Sequence, residues 1–262
     1  SLGNMYFNPA FARDNYRAIA ERIRAEAGER AAVVLDAPNQ WEVFTYYYPD
    51  GPNIAPLPDE DTQGALDRLL RDNQRIYALF WGDAEQDPER LVESTLDARA
   101  FETGSAWYGS VRLVTYAVPG EPAAEIEVES GARFGADIAL LGYAVSAGRL
   151  APGDALGVTL FWQTDAPLDA RYKVFVHLYA PDGTLIAQHD SEPGGDLDPT
   201  DAWPPGETVI DNHGVLLPLE AAPGTYRLVI GLYGLVTGDR LPVTLDGAPM
   251  GDSLTIGEIE VR

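Results

Sequence analysis

Histidine and aspartate concentrate between residues 173 and 207, where their types and spacing suggest metal binding or proton transfer. His177 and His189 are two of the three histidines in the 262-residue chain, and Asp196 and Asp198 follow them in a D-x-D pattern. Imidazole and carboxylate groups bind divalent metals and exchange protons in the physiological pH range. The first question is therefore whether the fold brings these four side chains together.

The turn between the two histidines predicts where they lie on a β-hairpin. Strand-like runs flank "APDGT", and a three-residue loop at 181–183 would place its glycine in the left-handed region. Ala180 then pairs with Thr184, so that His189 faces Phe175 and the histidines are diagonal neighbours, roughly 7–8 Å apart at Cα. Two imidazoles at that separation could share a metal, but a one-residue shift would move His189 to the opposite face. Packing among the aromatic residues of the hairpin is the simpler interpretation.

The acidic motifs carry little information, because 41 of the residues are aspartate or glutamate. The D-x-D pattern occurs in metal-dependent sugar-nucleotide transferases, yet so acidic a chain produces it readily by chance. A calcium loop starting at Asp196 would lack the glycine at position six. We therefore expect no metal centre and no cofactor, with an irregular calcium site as the alternative. The weak metal candidates are His177, His189, Asp196 and Asp198.

A second group of polar and aromatic residues follows two predicted strands in the first half of the chain. In open α/β sheets, ligands bind beyond the carboxyl ends of the strands. Amides, carboxylates and indole rings can hold the hydroxyl groups and ring faces of sugars. Ordinary helix caps and turns are the alternative interpretation. The group consists of Asp36, Asn39, Gln40 and Trp41 after one strand, and Trp81 and Asp83 after another.

Two tryptophans in the second half could also serve as platforms for a sugar ring. Trp162 lies within the apolar run "VTLFWQT", which is typical of a core strand. Trp203 lies in the polar loop "TDAWPPGE" and is either an exposed platform or a plug over the end of a β-sandwich. Of these two interpretations we favour the plug.

The elements that would position these residues differ between the two halves of the chain. Residues 1–118 alternate helical and strand patterns, which predicts a small Rossmann-like α/β sheet domain. Strand-length runs separated by glycine and proline fill residues 124–262, which predicts an Ig-like antiparallel β-sandwich. The segment at about 118–123, with two prolines and a glycine, is the expected linker.

Composition excludes several classes of function. A formal net charge of −23 argues against nucleic acid as a partner, because basic side chains must neutralise phosphates. The absence of cysteine excludes disulfides, thiol catalysis and cysteine-type metal sites. Neither phosphate-binding glycine motif nor a G-x-S-x-G nucleophile elbow occurs. No apolar run reaches membrane-spanning length, and the first residues are not typical of a signal peptide.

Several longer segments are informative when they are taken together along the chain. The first half contains "YFNPAFARDNYRAIAERIR", "AAVVLDAPNQWEVFTYYY" and "RIYALFWGDAEQDPERL", and the second half contains "YKVFVHLYAPDGTLIAQHDSEP" and "DAWPPGETVIDNHGVLLP". In this order they resemble the soluble C-terminal region of bacterial polytopic membrane glycosyltransferases, of the dolichyl-phosphate-mannose mannosyltransferase and aminoarabinose-transferase type. The segments of the second half look like the β-sandwich often appended there.

This resemblance implies a non-catalytic, extracytoplasmic accessory region that positions an acceptor or glycan, or braces the membrane part of its parent. The chemistry of such transferases lies in the membrane-embedded part, so no catalytic residue carries over to this sequence. The expected partners are a glycan or lipid-linked sugar and the membrane-embedded part of the parent chain. The expected location is the periplasm or cell surface, with a membrane region as tether. A stand-alone carbohydrate-binding protein and a hydrolase with an unrecognised site are the alternatives.

Overall fold

A computed structural model describes residues 15–28, 30–36, 40–51, 53–81 and 87–262. The chain divides into two compact units, Ser1–Val118 (unit 1) and Pro119–Arg262 (unit 2). The protein is rich in β-structure, and its described residues contain four α-helices. None of the helices in the described ranges is long and apolar enough to cross a membrane.

Unit 1 is a mixed sheet with helices. Its strands are ordered β4-β5-β3-β1-β2. Strand β1 is parallel to β2 and β3, whereas β5 is antiparallel to both β3 and β4. The helices are α1 (Tyr16–Glu26), α2 (Trp41–Tyr47), α3 (Thr62–Asp72) and α4 (Leu91–Arg99), and the strands are β1 (Ala31–Leu35), β2 (Asn53–Pro56), β3 (Arg75–Trp81), β4 (Phe101–Tyr108) and β5 (Val111–Ala117).

Helices cover both faces of this sheet, which explains why β1 is a continuous apolar run. All five residues of β1 are buried. Ala32 and Val34 pack in one cluster with side chains of α3 and α4. Val33 and Leu35 pack in another cluster with side chains of α1 and α2. A parallel strand covered on both faces needs apolar side chains in both directions, so the alternation of half-exposed strands is absent.

Unit 2 contains two sheets whose side chains form one core. The first is ordered β15-β14-β6-β7-β9-β12 and the second β11-β10-β13-β16-β8. The described pairs within these sheets are antiparallel except β8 with β16, which is parallel. The strands are β6 (Val128–Phe134), β7 (Ile138–Val145), β8 (Arg149–Leu150), β9 (Ala155–Thr164), β10 (Tyr172–Tyr179), β11 (Leu185–Ser191), β12 (Val209–Leu216), β13 (Gly224–Gly234), β14 (Val243–Leu245), β15 (Ala248–Gly251) and β16 (Leu254–Val261).

The pattern of β7 in unit 2 follows burial, whereas that of β6 does not. Strand β7 alternates between buried and half-buried residues along its full length, as expected for a sheet with one face in a core. The sequence pattern does not predict β6, because charged residues and a glycine interrupt it. Only Ala132 and Phe134 of β6 are buried, and the ring of Phe134 packs edge-on against Trp162 at 5.2 Å between centroids.

The β10–β11 hairpin has the predicted turn. Gly183 has a φ of +87°, and the backbone N–H of Ala180 donates to the carbonyl oxygen of Thr184 at 2.9 Å. Tyr179 is then paired with Leu185, as the three-residue loop requires. The local chemistry of "APDGT" was therefore sufficient to predict the start of this hairpin.

Beyond the turn, the predicted register is wrong. A bulge shifts the pairing so that Leu178 lies opposite Ala187, which leaves Ile186 as an extra residue in β11. His189 consequently pairs with Val176 rather than with Phe175. Since neighbouring residues of a strand point to opposite faces, His177 and His189 are on opposite faces of the hairpin. The shared metal site that the diagonal register would permit is excluded by this shift.

Candidate functional site

The carboxyl ends of the parallel strands of unit 1 place two of the predicted site residues at one edge of the sheet. Asp36 directly follows β1, and its backbone N–H donates to the carbonyl oxygen of Leu79 in β3 at 3.0 Å. Trp81 is the last residue of β3. Strand alternation assigns Asp36 to the face that α3 and α4 cover, and Trp81 to the face that α1 and α2 cover. The two side chains thus border the same edge from opposite faces.

Asp36 is a buried carboxyl group with an unsatisfied oxygen. Asp36 is 9% exposed, and its Oδ1 has no hydrogen-bond partner among the described residues. The pKa of Asp36 is raised to about 7, mainly by burial and to a lesser extent by the charge of Asp87, while Arg90 acts in the opposite direction. Near neutral pH the group therefore exists in both protonation states, so it can donate or accept a hydrogen bond.

The charges around Asp36 are already paired with one another. The carboxylate of Asp87 accepts two backbone N–H bonds from the first turn of α4, at 2.9 and 2.8 Å. Arg90, in the left-handed region with a φ of 51°, donates from Nε and Nη2 to Oε2 of Glu93, at 2.9 and 2.5 Å. Arg112 forms a second, largely buried ion pair with Glu93. Sequence reasoning missed this cluster, although "DPER" before an apolar run is a recognisable helix start.

Gln40 is the second buried polar side chain of this region. It is 3% exposed, and neither its amide nitrogen nor its amide oxygen has a hydrogen-bond partner among the described residues. Gln40 occupies the N-cap position of α2 but makes no side-chain cap. Because a buried amide without partners costs about 1–3 kcal/mol, the helix-cap interpretation does not account for it.

Indole rings lie at the same end of unit 1. Trp41, in the first turn of α2, and Trp81 are each 41% exposed. The ring of Trp81 is oriented by a hydrogen bond from Nε1 to Oγ of Ser110, at 2.9 Å. Each indole therefore presents part of its apolar surface to solvent. The remaining predicted residues of this group, Asn39 and Asp83, lie outside the described residues.

In unit 2, both predicted tryptophan platforms are buried. Trp203 is 3% exposed, and its Nε1 donates to the carbonyl oxygen of Asp198 at 3.0 Å. The indole therefore packs in the core of unit 2 and holds the backbone of the acidic loop at Asp198. Trp162 is fully buried in the core, where its Nε1 donates to Oδ2 of Asp211 at 3.2 Å. Neither indole has a ring face open to a ligand.

His177 is packed among aromatic side chains, as the simpler interpretation predicts. Its ring centroid lies 4.5 Å from that of Phe175. Its Nε2 is 3.1 Å from Oδ1 of Asp190, and its Nδ1 is 3.3 Å from the hydroxyl of Tyr179. Although burial raises the pKa of Asp190, the hydrogen bond and charge of His177 bring it below its ordinary value.

The inward face of the hairpin takes part in a row of hydrogen-bonded polar side chains, which the sequence did not predict. Nδ1 of His189 lies 2.9 Å from Nδ1 of His213, and Nε2 of His213 lies 2.7 Å from Oδ2 of Asp211. Oδ1 of Asp211 accepts the backbone N–H of Gly194 at 3.1 Å. The i, i+2 spacing of Asp211 and His213 places both on one face of β12, but their partner His189 comes from the other sheet.

A single proton must lie between the two Nδ1 atoms, since one imidazole has to donate and the other to accept. Burial alone would raise the pKa of Asp211, but His213 and the donated hydrogen bonds bring it below the ordinary value. Asp211 is therefore an ionised acceptor, and Nε2 of His213 donates to it. The hydrogen-bonded side chains of His189, His213 and Asp211 thus link β11 of one sheet with β12 of the other.

The weak metal candidates do not converge. Among the described residues, no group of three or more histidine, aspartate or glutamate side chains could hold a metal ion. Oδ1 of Asp196 accepts the backbone N–H of Glu192 at 2.9 Å, so this carboxylate shapes its own loop. Burial and the nearby Asp211 raise the pKa of Asp198.

Comparisons with known proteins leave the chain without a family: no family model and no curated protein matches it. Among solved structures, the C-terminal domain of wzt is 12% identical over 54% of this chain and 82% of that chain, with a TM-score of 0.36. A Niemann-Pick type C2 protein from Japanese carpenter ant is 5% identical over 53% and 98%, with a TM-score of 0.31. Bacteroides uniformis beta-glucuronidase 2, as a calcium-binding mutant, is 16% identical over 54% and 15%, with a TM-score of 0.30. Similarities this distant carry no functional inference.

Proposed function

We propose that this chain is a non-catalytic accessory region of a membrane glycosyltransferase and that it binds a carbohydrate at the carboxyl edge of unit 1. The observation that carries the proposal is Gln40, whose buried amide has no hydrogen-bond partner among the described residues. A bound ligand would supply those partners and remove the cost of leaving them unpaired. We refer to Asp36, Gln40, Trp41 and Trp81 as the edge site.

The chemistry of the edge site fits a sugar better than a flat or purely apolar ligand. The amide of Gln40 offers a donor and an acceptor, which matches a hydroxyl group that also does both. The half-exposed indoles of Trp41 and Trp81 offer apolar faces to the C–H groups of a sugar ring. Small-molecule sites commonly combine a few polar groups with aromatic surface in this way.

The parent and location in this proposal come from the resemblance of the sequence to transferase C-terminal regions. The region lies outside the cytoplasm, and a membrane part of the parent carries out the transfer. Unit 1 is then a Rossmann-like domain that holds a glycan or lipid-linked sugar, and unit 2 is an Ig-like sandwich that braces the membrane part of the parent. A stand-alone carbohydrate-binding protein would use the same edge site, and the sequence of the parent gene distinguishes the two.

Binding of the purified chain to a panel of glycans, measured by calorimetry and tryptophan fluorescence, tests the proposal. The wild-type chain should bind at least one glycan, and Trp81→Ala and Gln40→Ala should each weaken that binding at least tenfold, about 1.4 kcal/mol. Tyr46→Ala is the matched control, since Tyr46 is a 78% exposed aromatic residue of α2 outside the edge site. No binding across the panel, or equal binding by all variants, would overturn the proposal.

A further inference from the structure

We infer that the edge site selects a neutral sugar ring and rejects sugars that carry a carboxylate or a phosphate. This inference rests on the proposed function and specifies the class of ligand. For a lipid-linked sugar phosphate, it means that the site holds the sugar and leaves the phosphate outside. The inference depends on which charges around the site are free and which are already paired.

The cations near Asp36 are not available to an anionic ligand. Arg90 donates two hydrogen bonds to Glu93, and Arg112 forms its ion pair with the same carboxylate. Among the residues that the structure describes here, these two arginines balance Glu93 and Asp87, so the net charge of this group together with Asp36 is zero when Asp36 is protonated and −1 when it is ionised. A phosphate or carboxylate needs a free guanidinium, ammonium or cluster of N–H donors for tight binding.

An anion would also be repelled at this edge. The nearby Asp87 disfavours the charged form of Asp36, and Asp36 is largely removed from water. A third negative charge in such a place would be desolvated beside two carboxyl groups without compensation. The N–H donors at the start of α4, which could otherwise attract an anion, are already occupied by Asp87.

The unpaired groups of the site favour neutral hydroxyls for a second reason. Oδ1 of Asp36 and both amide atoms of Gln40 are buried and have no partners among the described residues. Hydroxyl groups can satisfy a donor and an acceptor without bringing in charge. A site built to pair with hydroxyls rejects analogues that leave its polar groups unpaired, and the discrimination is large.

Matched sugar pairs test the inference: methyl glucoside against methyl glucuronide, and methyl galactoside against methyl galacturonide, with glucose 6-phosphate as a phosphorylated member. Binding is measured by tryptophan fluorescence and calorimetry on the purified chain, at constant ionic strength and at pH 6 and pH 8. The neutral member of a pair should bind at least tenfold more tightly, and the preference should be larger at pH 8, where Asp36 is mostly ionised.

A charge-matched pair of variants assigns the selectivity to the site. Asp36→Asn should reduce the preference for the neutral sugar at pH 8, whereas Asp50→Asn, which removes an exposed charge elsewhere in unit 1, should leave the preference unchanged. Equal or tighter binding of the charged sugars would overturn the inference while the proposed function stands. Failure of every sugar, neutral and charged, would overturn both.

Discussion

Replacing Asp211 by asparagine tests how much the buried hydrogen bonds among His189, His213 and Asp211 stabilise unit 2. The carboxylate accepts three hydrogen bonds, from Nε1 of Trp162, Nε2 of His213 and the backbone N–H of Gly194. An asparagine side chain has the same shape but only one acceptor oxygen. In its better orientation the oxygen keeps Trp162 and His213, and the amide NH₂ then points at the N–H of Gly194.

The expected loss of stability follows from the number of hydrogen bonds that asparagine can no longer accept. One buried donor left without an acceptor costs about 1–3 kcal/mol, and replacing a charged acceptor by a neutral one weakens the bond from His213 further. We therefore expect Asp211→Asn to destabilise unit 2 by about 3 kcal/mol, which for a unit of this size lowers Tm by roughly 6–12 °C. Because the folded-state pKa of Asp211 lies below its ordinary value, this difference should shrink as the pH falls below about 4.

Differential scanning calorimetry and urea unfolding of the full chain provide the measurement. Asp182→Asn is the control, because Asp182 is exposed in the hairpin turn and its carboxylate accepts the N–H of Thr184, a bond that an amide oxygen can replace. That control should lie within about 0.5 kcal/mol of wild type. If Asp211→Asn behaves like the control, the carboxylate is not the acceptor of three buried donors, and these buried hydrogen bonds have been interpreted incorrectly.

Three further predictions concern single side chains. Gly231→Ala should destabilise unit 2 by about 1–3 kcal/mol in urea unfolding, because its Cβ would lie 2.2 Å from Cζ of Phe175; Gly257→Ala, with nothing within 4 Å, should not. Gln40→Leu should raise the Tm of the unliganded protein by a few degrees while it abolishes sugar binding, and a lower Tm would mean that the amide has a partner. The pKa of Asp36 is about 7 in the folded state, above its unfolded value, so stability should fall by up to about 4 kcal/mol as the pH rises from about 4 to about 8. Asp36→Asn should remove this decline in stability, which urea titrations at several pH values can measure. If the variant and the wild type show the same dependence of stability on pH, the prediction is contradicted.

Much of the secondary structure was predictable because burial imposes a period on each element. The alternating pattern of β7 and the continuous apolar pattern of β1 both follow from the faces that the strands bury. Strand β6 was not predictable, because only two of its residues contact the core and the rest follow no pattern. Its place in the sheet depends on pairing with β7 and β14 rather than on its own side chains.

The features of the candidate sites also differ in origin: some are determined by the local sequence, and others by packing between segments that are distant in the sequence. The turn at Gly183 depends on one backbone conformation, which the sequence indicates directly. The bulge at Ile186 depends on which residues of β11 the core of unit 2 accepts, and no short segment contains that information. Likewise, the spacing of Asp211 and His213 predicts a shared face, but only the packing of the two sheets brings His189 to them.

The extra residue in β11 makes the length of this strand as consequential as its composition. Removing Ile186 would abolish the bulge but leave Ala187 opposite Leu178 and His189 opposite Val176, so the residues that follow would keep their inward and outward positions. One residue inserted after Ala187 would instead exchange these positions, so that Asp190 would enter the apolar core and His189 would turn to solvent and lose His213. A deep mutational scan of β11 should therefore show an asymmetry, with the deletion of Ile186 tolerated and a one-residue insertion after Ala187 disrupting folding.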